Sequence, residues 1–102
     1  MAENPIYTID DIRTAINPIG REYGIKRMSI FGSYSRGEAT ENSDIDFHLI
    51  DTGGNWGYFK LCEFQQALED CLGINVDVLT TGAIDNEVLE RIRRDEVIVY
   101  EQ

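Results

Sequence analysis

One stretch, Met28 to Ile50 (MSIFGSYSRGEATENSDIDFHLI), limits what this chain can fold into more than any other. A short apolar run (Met28, Ile30, Phe31) stops at Gly32-Ser33. A polar segment containing Arg36-Gly37 follows, and a second apolar run opens with Asp44-Ile45-Asp46. Both runs are short, rich in Ile and Phe, and bounded by Gly, Ser and Asn, which favours strands over helices. Side chains at i and i+2 of a strand share a face, so Asp44 and Asp46 project together while Ile45 and Phe47 turn into a core.

Two neighbouring carboxylates repel each other and gain nothing from packing. A hard divalent cation between them removes the conflict, because Mg²⁺ takes oxygen ligands at octahedral spacing. Gly32 permits close approach of a ligand to the backbone. Ser33 adds a hydroxyl and an N–H where a helical turn is expected to start, a position that favours anions. The unit would hold phosphates at one end and their metal at the other, which is the layout of a nucleotide site. No GxxxxGK[ST] or GxGxxG string competes for the nucleotide.

Around this unit the chain reads as scaffold. Thr8 to Tyr23 carries Ile9, Ile12, Ile16, Ile19 and Tyr23 at helical spacing, with Thr8 and Asp11 set as a capping box and Gly24 as a stop. Pro18 inside it predicts one kinked helix or two short ones. Ile25–Phe31 is the first strand, Ser33–Thr40 a short helix or turn, and Tyr58–Leu72 a helix closed by Gly73. Trp56 and Tyr58 read as core packing rather than a base-stacking pair. Lys60, Glu63, Glu69 and Asp70 read as a solvated face.

Ile74–Leu79 is a third strand in which Asp77 stands alone on the face opposite Val76 and Val78. A buried, unpaired acid is costly. If this strand lies beside the second, Asp77 joins Asp44 and Asp46; otherwise it is an exposed edge residue. Asp85 caps a last helix, with Val88, Leu89 and Ile92 inward and Arg91, Arg93 and Arg94 in its last turn complementing the dipole. Glu96–Tyr100 alternates as a final strand. His48 shares the acidic face of the second strand and reads as a supporting residue rather than a ligand.

The composition fits one domain over residues 1–102 with a single core, 42% of residues being hydrophobic. No stretch approaches the roughly 20 apolar residues of a membrane span, and the N-terminus has no leader-like pattern. With 19 acidic against 9 basic residues the net charge is −10, which disfavours nucleic acid as the main substrate and suggests solubility or a basic partner surface. Cys62 and Cys71, the only cysteines, lie roughly 13 Å apart along one helix and on opposite sides of it. Neither a disulfide nor a metal site suits that geometry. They read as core thiols of a protein in a reducing cytoplasm.

Gly32-Ser33, ten intervening residues and Asp44-Ile45-Asp46 together resemble the signature of the DNA polymerase beta-like nucleotidyltransferase superfamily. With Arg36-Gly37 and Ser43 in place, the string resembles the smallest branch, the minimal nucleotidyltransferases (MNT). The VDVLTTGAID segment and the closing stretch are similar too, so the likeness covers most of the chain. It implies an α/β (α+β) fold, a small mixed sheet of about four strands with helices packed on it. It also implies a site in which Asp44 and Asp46 bridge two Mg²⁺ ions and Asp77 supplies the third carboxylate. Gly32 and Ser33 would hold the β- and γ-phosphates of ATP, with Arg36 and Ser43 beside the nucleotide. Arg36 reads first as support for the loop and second as a phosphate contact.

The family resemblance further implies transfer of AMP from ATP to a tyrosine of a HEPN-domain ribonuclease toxin, the chain acting as antitoxin in a hetero-oligomer. Two other readings remain open. The chain is a subunit modifying a small molecule such as an aminoglycoside, or an idle fold that merely sequesters a toxin. Intact acids and an intact Gly32-Ser33 weigh against the last.

Overall fold

The computed structural model describes residues 6–102. Its elements run α1 (Ile9–Tyr23), β1 (Arg27–Phe31), β2 (Ile45–Asp51), α2 (Tyr58–Leu72), β3 (Val76–Thr80), a 3-10 turn (Thr81–Ala83), α3 (Asn86–Asp95) and β4 (Val97–Glu101). The four strands form one mixed sheet in the order β3-β2-β1-β4. β1 pairs antiparallel with β2 and β4, and β2 pairs parallel with β3, α2 making the crossover. The expected sheet and helices are therefore present.

Alternation sorts the sheet into two faces. Met28, Ile30, Ile45, Phe47, Leu49, Val76 and Val78 are buried in a main core with Ile12 and Ile16 of α1 and Phe64, Leu68 and Leu72 of α2. The opposite face carries Ser29, Phe31, Asp46, His48 and Asp77, and α3 packs there through Leu89 and Ile92, with Ile84 ahead of it, against Phe31. One face thus serves packing. The other carries the polar residues, with α3 packed beside them at Phe31.

α1 runs unbroken through Pro18 to a left-handed Gly24. Its start is a true capping box: Thr8 Oγ1 accepts from the Asp11 N–H at 3.0 Å, and Asp11 Oδ2 accepts from the Thr8 N–H at 3.1 Å. Ser33–Thr40 folds as successive turns rather than a helix, because Gly32 and Gly37 (φ +76° and +71°) interrupt any helical path. β1 and β3 each start two residues later than the sequence suggests, since Ile25 and Ile74 are buried but lie before the ladder.

Three sequence expectations fail by exposure. Cys62 and Cys71 are both exposed, outside the buried stripe of α2, which is Phe64, Leu68 and Leu72. Tyr58 is 76% exposed and meets the exposed Phe59 edge-on rather than packing on the core. Val88 is also exposed, leaving Leu89 and Ile92 as the inward residues of α3. By contrast Trp56 packs edge-on against Phe64, with Tyr23 beside it, as expected of a core residue. Among the described residues no helix is long and apolar enough to cross a membrane.

Candidate active site

Parallel pairing of β2 with β3 sets Asp46 directly opposite Asp77, and antiparallel pairing with β1 sets Asp46 opposite Phe31. Position 46 therefore has Asp77 on one side and the start of the Gly32 turn on the other. Asp44 sits one residue before β2, exposed at its mouth, rather than within the strand. Its charge still reaches Asp46. The Asp46 carboxyl is pushed up to about 6, first by burial, then by the charges of Asp77 and Asp44, with Arg36 opposing. The three sequence-predicted acids therefore form one electrostatic unit.

Gly32 closes the other side. Its φ of +76° is the left-handed region that side chains resist, and a Cβ there would lie 2.5 Å from Asp46 Oδ2. The next turns are knitted locally: Ser35 Oγ donates to the Gly32 carbonyl at 2.8 Å, and the Arg36 N–H reaches the same carbonyl at 3.3 Å. Ser33 is part-buried, its carbonyl accepting from the Glu38 N–H. The Ser43 hydroxyl accepts from the Thr40 N–H at 2.9 Å, so it shapes the loop that delivers Asp44.

Arg36 is held by two acids, Glu38 at 2.8 Å and Asp95 of α3 at 3.6 Å. This is the supporting role expected first for it, and it links the turn to α3. His48 is buried, its Nδ1 2.9 Å from Glu96 Oε1 and its Nε2 2.8 Å from Thr81 Oγ1. Ser29 Oγ donates to the same Glu96 oxygen. The imidazole is thus fully occupied, a brace behind Asp46 rather than a ligand. Glu96 and Thr81 escaped the sequence reading. The signal for them was Ser29, a hydroxyl inside an apolar strand, which needs a partner.

Among the described residues no group of three or more His, Cys, Asp or Glu side chains stands close enough to hold a cation unaided. The donor set nevertheless suits Mg²⁺. It offers carboxylate oxygens whose mutual repulsion a cation relieves, and Mg²⁺ is commonly held by one or two carboxylates with substrate phosphates completing its shell.

A mixed sheet carrying opposed acids beside a left-handed glycine turn is the arrangement of a nucleotidyltransferase. Residues 12–100 match the nucleotidyltransferase domain family, and the chain belongs to it. Protein adenylyltransferase MntA of Thermococcus cleftensis is 34% identical over 100 residues, covering 97% of this chain and all of that protein. The fold is that of the minimal nucleotidyltransferases. A crystal structure of a toxin–antitoxin pair with AMP-PNP matches with a TM-score of 0.76 at 21% identity, over 88% of this chain and 73% of that one. The complex of a tri-AMPylated Shewanella oneidensis HEPN toxin with its MNT antitoxin matches at 0.69 and 17%, over 89% and 71%.

Proposed function

We propose that this nucleotidyltransferase moves AMP from ATP, with Mg²⁺, to a tyrosine hydroxyl of a HEPN-domain toxin and so acts as an antitoxin in a reducing cytoplasm. The observation that carries the reading is the Asp46–Asp77 register beside Gly32. The name of the Thermococcus relative and the AMPylated toxin in the Shewanella complex support the donor and the acceptor class. The AMP-PNP complex of a structural neighbour supports a nucleoside triphosphate as the substrate.

In this reading Asp44 and Asp46 would hold Mg²⁺ together with the substrate phosphates, with Asp77 as the further carboxylate beside them. When bound, the metal offsets phosphate charge and makes the acceptor hydroxyl easier to deprotonate. Gly32 and Ser33 hold the β- and γ-phosphates by close backbone approach and N–H donation. Arg36, released from Glu38 or Asp95, adds charge at the same end. Asp77, exposed beside Asp46, takes the proton of the attacking hydroxyl. The acceptor oxygen bonds to the α-phosphorus, the bond to the bridging oxygen breaks, and pyrophosphate leaves.

Transfer of label from α-labelled ATP onto a co-expressed HEPN partner tests the proposal, with an Asp44→Asn, Asp46→Asn double variant alongside. Label on the partner that the variant loses is the expected result. Tight partner binding without label in either protein would reduce the chain to a sequestering module. Label on a small hydroxyl compound alone would point to a small-molecule transferase.

A further inference from the structure

We infer that Arg91 is a substrate-binding residue that grips the terminal phosphates of the nucleotide opposite Arg36. The assignment rests on the nucleotidyl-transfer reading and adds a residue to it. Between the Gly32 turn and α3 lies a cavity of about 200 Å³. Phe31, Val88 and Ile92 give it apolar walls, and Gly32, Arg36, Arg91 and Asp95 its polar ones.

Helical spacing builds the α3 wall. Val88, Arg91, Ile92 and Asp95 stand at i, i+3, i+4 and i+7 and so share one stripe. Arg91 therefore belongs with the Gly32 turn. The basic residues of the last turn are Arg93 and Arg94, which complement the helix dipole. The sequence pattern grouped all three arginines; the structure separates them.

The two guanidiniums on the cavity differ in one respect. Arg36 is paired with Glu38 and Asp95, whereas Arg91 has no ion pair or hydrogen bond among the described residues. Two acids thus offset Arg36, and Arg91 is left as the unpaired positive charge on the cavity, in a chain of net charge −10. Among the described residues Asp95 is the one carboxylate lining the same cavity, and it is engaged with Arg36.

Across Gly32 lies the opposite pole, where half-buried Asp46 stands beside Asp77 and within reach of the charge of Asp44. Gly32 borders both: it lines the cavity, and a Cβ on it would strike Asp46. A ligand that carries a cation at one end and concentrated anionic oxygen at the other satisfies both poles. A metal-bound triphosphate is such a ligand. Its terminal phosphates fit the cationic side, because planar guanidiniums grip phosphate oxygens in a fork and apolar walls strengthen the attraction.

The test is titration calorimetry on the whole protein with Mg²⁺, using ATP, AMP and inorganic tripolyphosphate as probes. The proteins are wild type, Arg91→Met, Arg91→Lys and Arg93→Met. Arg91→Met is expected to weaken ATP and tripolyphosphate by about tenfold or more, the usual worth of a charge-assisted contact, and to leave AMP unchanged. Arg91→Lys should recover part of the loss, and Arg93→Met, an equal change of charge outside the cavity, should bind like wild type. Unchanged ATP affinity in Arg91→Met overturns the assignment. So does an equal loss for AMP, which would place the contact at the nucleoside, or an equal loss in Arg93→Met, which would reduce the effect to net charge. Failure of wild type to bind ATP at all would overturn the nucleotide reading itself, a result distinct from the other three.

Discussion

Gly32 and Asp46 approach so closely that a Cβ on residue 32 would lie 2.5 Å from Asp46 Oδ2. The carboxylate therefore occupies the space that any other residue would fill with a side chain. Gly32→Ala should suffer twice. Holding alanine at φ +76° costs about 1–2 kcal/mol of stability. The methyl also displaces the Asp46 carboxylate from its position opposite Asp77. Urea unfolding should show the modest stability loss, and Mg-ATP binding should fall by about tenfold or more, the equivalent of one lost charged contact. An alanine variant that binds nucleotide normally would remove Gly32 from the site.

The Asp46 carboxyl, raised from 3.8 to about 6, makes stability depend on pH with a definite sign. Between these values the folded state holds a proton that the unfolded state has released. Stability attributable to this group is therefore greatest below about pH 4, falls as pH rises toward about 6, and is level above. Asp46→Asn removes the dependence. In the absence of metal the variant should gain on wild type as pH rises through this window and hold its advantage at pH 7–8. Urea unfolding of both proteins across pH 4–8 reads the difference directly. Parallel curves would mean that Asp46 titrates normally.

Much of this fold is local, and local features are legible in a chain. The Thr8–Asp11 box, the Gly24 and Gly73 stops and the Asp85 cap each depend on residues within a few positions of one another. Asp77 was legible because an acid alternating with valines violates its surroundings. What alternation does not specify is which strands are neighbours. The Asp46–Asp77 register follows from the parallel β2–β3 pairing, and that depends on α2 returning the chain to the far edge of the sheet. Helical spacing likewise defines a stripe but not its width. Cys71 stands beside Leu72 in sequence yet lies outside the Phe64–Leu68–Leu72 stripe, its thiol reaching the Ala15 carbonyl at the surface. Glu96 lies 48 residues from His48, so no window of sequence connects them.

That distant pair gives the next prediction. His48 joins Glu96 to Thr81, and Glu96 also receives Ser29. His48→Ala leaves the Glu96 carboxylate and the Thr81 hydroxyl short of a partner in a mostly closed space. A loss of about 1–3 kcal/mol is expected from the unsatisfied groups, visible in urea unfolding. Because the ring braces the sheet rather than touching substrate, label transfer by the folded fraction at low temperature should stay within a few-fold of wild type. A variant of normal stability that had lost transfer would instead give His48 a direct part in the chemistry.

Gly20 sets two opposing effects against each other at one position. It lies inside α1, where alanine is the better helix former by about 1 kcal/mol. A Cβ there, however, would stand 2.6 Å from the Tyr100 ring, which is itself buried at the β4 end of the sheet. Tyr100 cannot swing outward without opening the α1–β4 contact, and overpacking of this kind costs typically 1–3 kcal/mol. The clash should win. Gly20→Ala is expected to lose about 1 kcal/mol net, lowering the melting temperature by roughly 4–8 °C for a domain of this size. Tyr100→Leu in the same background should restore part of the loss by clearing the ring. If alanine at residue 20 raised the melting temperature, helix propensity would outweigh the ring contact and α1 would sit farther from β4 than the structure places it.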